Sequence, residues 1–180
     1  RGLTQIALKQ ENYPEAEEWI LLSTENVGTF DTYQALGDFY TTQARYDEAQ
    51  AAYDTAFDLS VSESGSLLVS QARLYELTGD IDAAEKTYLA AIDADPEQSL
   101  AYAALASIYN AQRRFDEAQA IYDRGFAADP ANVQLHVSYG RMLLVLGDLD
   151  GAEDSLNTAI ELQPTHAPNY IVLGQIQQVK

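Results

Sequence analysis

The chain is 180 residues long and carries 28 acidic against 10 basic residues, a formal charge of -18. That balance excludes a nucleic-acid backbone or an anionic membrane surface as a partner and favours basic proteins or cations. The absence of cysteine removes disulfides, thiol catalysis and thiolate metal sites together. The longest apolar run, Met142 to Leu146, is far too short to span a bilayer, and nothing near Arg1 has the layout of a signal peptide.

In chain order, residues 2–10 read as the end of an opening helix and 14–25 as its partner, with Pro14 tolerated in a first turn and Trp19 and Ile20 in the core. Glu25 to Thr29 has Gly28 and no helical pattern, so a loop is expected there. Tyr33, Leu36, Gly37 and Tyr40 then share one stripe of a helix over 30–43, and Tyr46 is followed by Ala49, Tyr53 and Ala56 on a second over 47–59. Helices over 65–78 and 81–94 form the next pair, after one inserted residue, Ser64. Helices over 99–112 and 116–128, 133–146 and 150–162, and a last one over 167–179 complete the chain. Gly79 and Gly147 stand at equivalent places between paired helices, where a left-handed residue ends the first of each pair. No strand, linker or low-complexity segment is visible.

Ser99 to Asn132 serves as a ruler for these pairs. Tyr102, Leu105, Ala106 and Tyr109 line its first helix and Ala118, Tyr122 and Gly125 its second. Ala106 and Ala118 are small where two antiparallel helices come close, and Pro130 closes the unit. A shift of 34 residues carries Phe115, Ala118, Tyr122 and Pro130 onto Leu149, Ala152, Leu156 and Pro164, and the reverse shift finds Ile81, Ala84, Tyr88 and Pro96. The unit over 30–63 has Val61 where the closing proline belongs. The chain therefore divides into an incomplete repeat at 1–29, complete repeats at 30–63, 65–98, 99–132 and 133–166, and a lone terminal helix at 167–180, read together as one domain.

An aromatic, two spacers, Leu, a small residue, two spacers and an aromatic, then Ala, three spacers, an aromatic and a terminal Pro, at a period of 34, resembles the tetratricopeptide repeat. The resemblance implies an all-α, right-handed superhelical solenoid of antiparallel helix pairs, in which stability is spread along the array. It also accounts for the tyrosines, which fall on packing positions, so no stacking site for nucleic acid is read from them.

No constellation for catalysis emerges, and the chain is expected not to be an enzyme. His136 takes the place of Tyr102 in its repeat and reads as a packed helix residue, while His166 lies after Pro164. Neither has a spaced partner for zinc or a nucleophile. Asp80-x-Asp82 and Asp148-x-Asp150 resemble the start of a calcium loop but lack its third ligand, central glycine and closing glutamate, so helix capping explains them. Neither metal nor cofactor is expected.

What remains is surface. The resemblance implies that successive first helices line a concave groove for an extended peptide or a partner helix. The groove phase holds Gln34, Asp38 and Thr41, then Val69, Arg73 and Glu76, then Ala103, Ser107 and Asn110, then Val137, Arg141 and Leu144, and last Ile171, Gln175 and Gln178. One subtype of the family clamps a chaperone's terminal carboxylate with lysines and asparagines. Here Gln34, Asp38, Ser70, Leu100 and Ala104 depart from that pattern, so chaperone-tail binding is not carried over. Arg73 and Arg141 share one repeat position and can reach a ligand as anion or carbonyl donors. The competing reading pairs Arg73 with Glu76 and leaves both arginines to offset the acidic surface.

The expected function is a non-enzymatic protein–protein interaction scaffold binding a protein or peptide, basic by charge, without nucleic acid or direct membrane contact. The alternative is a structural component whose repeats stack end to end between copies into an extended assembly, and a remote third alternative is an enzyme or metal protein. Tyr170, Leu173 and Gly174 mark that edge, because Gly174 takes the place of Gly37 and Gly140, where small residues admit a second helix, and none follows. The compartment is not encoded in these residues. A soluble chain is expected, belonging to a longer or processed protein because it opens on Arg1.

Overall fold

In a computed structural model the described residues are 7, 9–60, 64–165 and 167–179. Among them lie ten helices and no strand: α1 (Tyr13–Val27), α2 (Phe30–Thr42), α3 (Tyr46–Leu59), α4 (Gly65–Thr78), α5 (Ile81–Ala94), α6 (Ser99–Ala111), α7 (Phe115–Ala128), α8 (Val133–Leu146), α9 (Leu149–Leu162) and α10 (Ala167–Val179). They fall into two compact units, residues 1–94 and 95–180. In unit 1, α2 packs on α3 and α4 on α5; in unit 2, α6 packs on α7 and α8 on α9, with α10 against α9. The all-α fold of consecutive helix pairs is the one the repeat pattern predicts.

Each pair is zipped by a small residue and an aromatic or leucine on its second helix. Ala49, Ala84, Ala118 and Ala152 are all fully buried, and Tyr53, Tyr88, Tyr122 and Leu156 one turn later are at most 2 % exposed. Close approach of the backbones at alanine and large apolar area beside it are what this packing requires. Near the N-terminus the reading needs two corrections. Ile20 is core but Trp19 is only half-buried, and α1 runs on to Val27, so the expected loop shrinks to Gly28 and Thr29, with Gly28 left-handed at φ 52°.

Chain reversal within a pair depends on one left-handed residue. Gly79 (φ 84°) and Gly147 (φ 82°) fill that role as expected, yet Ala44 (φ 56°) and Arg113 (φ 60°) adopt it too. The residue that follows then differs. After glycine, the Asp80 and Asp148 side chains accept from the backbone N–H of Ala83 and Gly151 at 3.1 and 3.0 Å, capping α5 and α9. After Ala44 and Arg113, the Arg45 and Arg114 guanidiniums each lie 4.3 Å over a ring, Tyr40 and Tyr109. Arg45 also pairs with Glu17 at 2.7 Å and Glu48 at 3.0 Å, and Arg114 with Glu117 at 2.7 Å. A Cβ in the left-handed region costs about 1–2 kcal/mol, while glycine frees the unfolded chain by about 0.4–1 kcal/mol. Arg113→Gly and Ala44→Gly are therefore expected to raise the urea midpoint, by up to about 1 kcal/mol of stability each, and Gly147→Ala to lower it. A fall in the midpoint for both glycine variants would show that the backbone is not strained there.

The loops between pairs are tied by a second recurring contact. The Tyr102 hydroxyl donates to the Pro96 carbonyl at 3.1 Å, and Tyr170 to that of Pro164 at 3.1 Å. His136 stands at the same repeat position with Nε2 2.9 Å from the Pro130 carbonyl. A carbonyl can only accept, so Nε2 carries the proton there. With its ring 4.7 Å from that of Phe126, His136 replaces a tyrosine in packing and hydrogen bonding alike. His166 lies outside the described residues.

Candidate functional site

The side chains of the expected groove belong to α2 and α4 in unit 1 and to α6, α8 and α10 in unit 2. In unit 1 Gln34 spans the two helices, with its amide nitrogen 3.4 Å from the Ser70 hydroxyl and 3.5 Å from that of Ser66. Asp38 accepts from the Tyr53 hydroxyl at 2.8 Å, and Thr41 lies 3.1 Å from the same oxygen. Val69 is half-buried and Arg73 exposed.

Glu76 does not pair with Arg73. Its carboxylate accepts from the Tyr88 hydroxyl at 2.6 Å, and among the described residues neither Arg73 nor Arg141 forms an ion pair or a hydrogen bond. Burial pushes the Tyr53 and Tyr88 hydroxyls well above the ordinary tyrosine value, and Asp38 and Glu76 beside them add to the rise. Both remain protonated donors across the physiological range.

In unit 2, Asn110 gives its amide N–H to the Tyr122 hydroxyl at 2.7 Å, and its Oδ1 is buried with no partner among the described atoms. Burial raises the Tyr122 hydroxyl to about 12, against the opposing pull of that hydrogen bond. Val137 is 7 % exposed and belongs to the core, whereas Ser107 and Arg141 face outward and Leu144 is half-buried. The most exposed large apolar side chains of this unit are instead Leu100, Val145 and Ile171, each 63 % exposed. Gln175 lies within α10, with its side chain outside the described set.

Thr41, Glu76 and Asn110 each stand twelve residues before the tyrosine that engages them. In the last complete repeat both members are apolar, Leu144 and Leu156. The groove phase is therefore shared between side chains anchored to the second helix and side chains left facing out. That twelve-residue pairing is visible in the sequence once the tyrosine hydroxyl is treated as needing a partner. Among the described residues no cluster of three or more His, Asp or Glu is placed to hold a metal ion, and no helix is long and apolar enough to cross a membrane.

A family model described as tetratricopeptide repeat matches residues 35–99 and 103–167. Protein O-mannosyl-transferase TMTC1 of Homo sapiens is 28% identical over 169 residues, which is 92% of this chain and 19% of that protein. Among solved structures, the C-terminal part of a TPR repeat-containing protein from Cytophaga hutchinsonii aligns with a TM-score of 0.74 at 19% identity, covering 96% of this chain and 68% of that one. The first TPR of Spaghetti (RPAP3), bound to the HSP90 peptide SRMEEVD, aligns with a TM-score of 0.59 at 22% identity over 64% of this chain and 92% of that one.

Proposed function

The chain belongs to the tetratricopeptide repeat family, and from that premise we propose that it is a non-enzymatic protein-interaction scaffold. Each unit would hold an extended peptide or a helix on its own first helices, α2 and α4 in unit 1 and α6, α8 and α10 in unit 2. The observation that carries this reading is the pair Arg73 and Arg141. Both are exposed at one repeat position, and neither is engaged by any of the described carboxylates, in a chain where acidic residues outnumber basic ones 28 to 10. A guanidinium left unpaired in such surroundings is a donor available to a ligand carbonyl or carboxylate.

An extended segment reconciles these donors with the net charge. Its backbone carbonyls suit Arg73 on unit 1 or Arg141 on unit 2, basic side chains suit the acidic surface, and on unit 2 an apolar side chain suits Leu100 or Ile171. The peptide held by the RPAP3 domain supports the mode of binding, while Gln34, Asp38, Ser70, Leu100 and Ala104 do not supply the residues of a chaperone-tail clamp. The transferase named for the human relative is not carried over, since this chain spans 19% of that protein.

Selection from a displayed library of extended peptides supplies the ligand for the test. Arg73→Ala with Arg141→Ala is expected to weaken it by about tenfold or more, with the helical circular-dichroism signal intact. A basic ligand should bind less tightly as salt rises. Equal affinity for the double variant would place the site on the second helices or at an end of the array.

A further inference from the structure

Each unit carries one copy of the same two-repeat arrangement. In the first complete repeat of unit 1, Ala44 is left-handed and Arg45 lies over the Tyr40 ring; in the first repeat of unit 2, Arg113 is left-handed and Arg114 lies over Tyr109. The second helices of these repeats agree in detail, with Gln50 donating to Asp54 at 2.7 Å and Gln119 to Asp123 at 2.9 Å. In the next repeat of each unit the turn is instead a left-handed glycine, Gly79 or Gly147, followed by a capping aspartate. Arg73 and Arg141 belong to these later repeats, so unit 1 holds one of the pair and unit 2 the other.

What stands beside each arginine on its helix also recurs. One turn before it is a valine, Val69 or Val137, and one turn after it is an exposed apolar side chain, Leu77 at 47 % and Val145 at 63 %. Side chains at (i, i+4) are neighbours on a helix surface, about 5–6 Å apart at Cβ. A guanidinium and an apolar group therefore form a two-point contact on α4, and the same contact is repeated on α8. An extended segment, rising about 3.3 Å per residue, can set an apolar side chain on the second point while a backbone carbonyl one or two residues away accepts from the first.

The electrostatic setting of the two contacts differs. Unit 1 has 17 acidic and 5 basic residues, a formal charge of -12, whereas unit 2 has 11 and 5, a formal charge of -6. Three residues after the arginine the contrast is local as well, Glu76 in unit 1 against Leu144 in unit 2. Basic residues flanking a bound segment are attracted more strongly by unit 1.

Building on the scaffold reading above, we infer that the chain has two binding sites of one kind and holds two copies of the same segment. One copy sits on unit 1 at Arg73 and Leu77, the other on unit 2 at Arg141 and Val145. The segment is extended, with an apolar side chain at its centre and basic residues flanking it, and the unit 1 site draws the larger part of its affinity from those flanks.

Isothermal titration of the 180-residue chain with a monomeric basic peptide from the library selection tests it. Two peptides should bind per chain. Arg73→Ala and Arg141→Ala should each leave one site at the parent affinity and weaken the other by about tenfold or more, with the helical signal unchanged. Leu77→Gln and Val145→Gln, which alter no charge, should each weaken the site in their own unit and spare the other. Raising salt should lower the affinity of the surviving unit 1 site, read in Arg141→Ala, by a larger factor than that of the surviving unit 2 site, read in Arg73→Ala. One peptide per chain, with binding still weakened in the double arginine variant, would overturn the second site and leave the scaffold reading standing. Unchanged affinity in the double variant would overturn both. Equal or reversed salt factors would overturn the assignment of the basic flanks to unit 1.

Discussion

Tyr122→Ala is expected to remove about 3–5 kcal/mol of stability, the cost of emptying a fully buried aromatic site. The ring has no exposed surface, lies 5.0 Å from that of Tyr139 and stacks at 6.3 Å on Phe126, so its loss leaves a cavity that α6, α7 and α8 must collapse into together. Its hydroxyl accepts the Asn110 amide N–H, and truncation would leave Asn110 with two unmatched polar atoms beside that cavity. Tyr122→Phe isolates the second effect at about 1 kcal/mol.

The next repeat shows what relieves it, because Leu144 and Leu156 occupy the places of Asn110 and Tyr122. Asn110→Leu with Tyr122→Leu should therefore cost less than the two single changes summed, since removing both polar partners leaves neither unsatisfied. Urea midpoints for the four chains check this. Strict additivity would mean that the hydrogen bond couples nothing.

The second expected result is a contrast between two glycines of one repeat position. Gly37→Ala should destabilise by about 1–3 kcal/mol as overpacking. The new methyl runs into the Tyr53 ring, and that ring cannot swing away while its hydroxyl is held at 2.8 Å by Asp38. Gly174→Ala meets no described atom within 4 Å, so at dilute concentration it should be neutral or gain up to about 1 kcal/mol from helix propensity. Equal shifts in the two thermal midpoints would show that the two notches are the same environment.

The sequence by itself determined the pairing and its register. Ala49, Ala84, Ala118 and Ala152 recur with Tyr53, Tyr88, Tyr122 and Leu156 at helical spacing, and such a recurrence has one economical solution, a helix pair closed at alanine and filled by the larger side chain. All eight are buried where that pattern puts them. What it could not determine is how far a side chain reaches once the pair has closed. Helical phase gives the angle of Asp38, Glu76 and Asn110 around the axis, which is why they read as groove residues. Only the neighbouring helix decides that a tyrosine hydroxyl arrives to bind each of them.

The same limit explains the turns and the arginines. Left-handed backbone at Gly79 and Gly147 is legible because glycine advertises it. At Ala44 and Arg113 the identical conformation is imposed by chain reversal against a packed pair, and composition carries no trace of a conformation forced from outside. For Arg73, an (i, i+3) spacing made Glu76 a reasonable partner, but the Tyr88 hydroxyl engages that carboxylate, and a carboxylate bound across the helix pair is no longer where local spacing would leave it. Periodicity along one helix determines which residues face inward. Which polar groups then satisfy one another, and which are left for a partner, depends on the reach of side chains from the helix opposite, a distance that exists only after the two have packed.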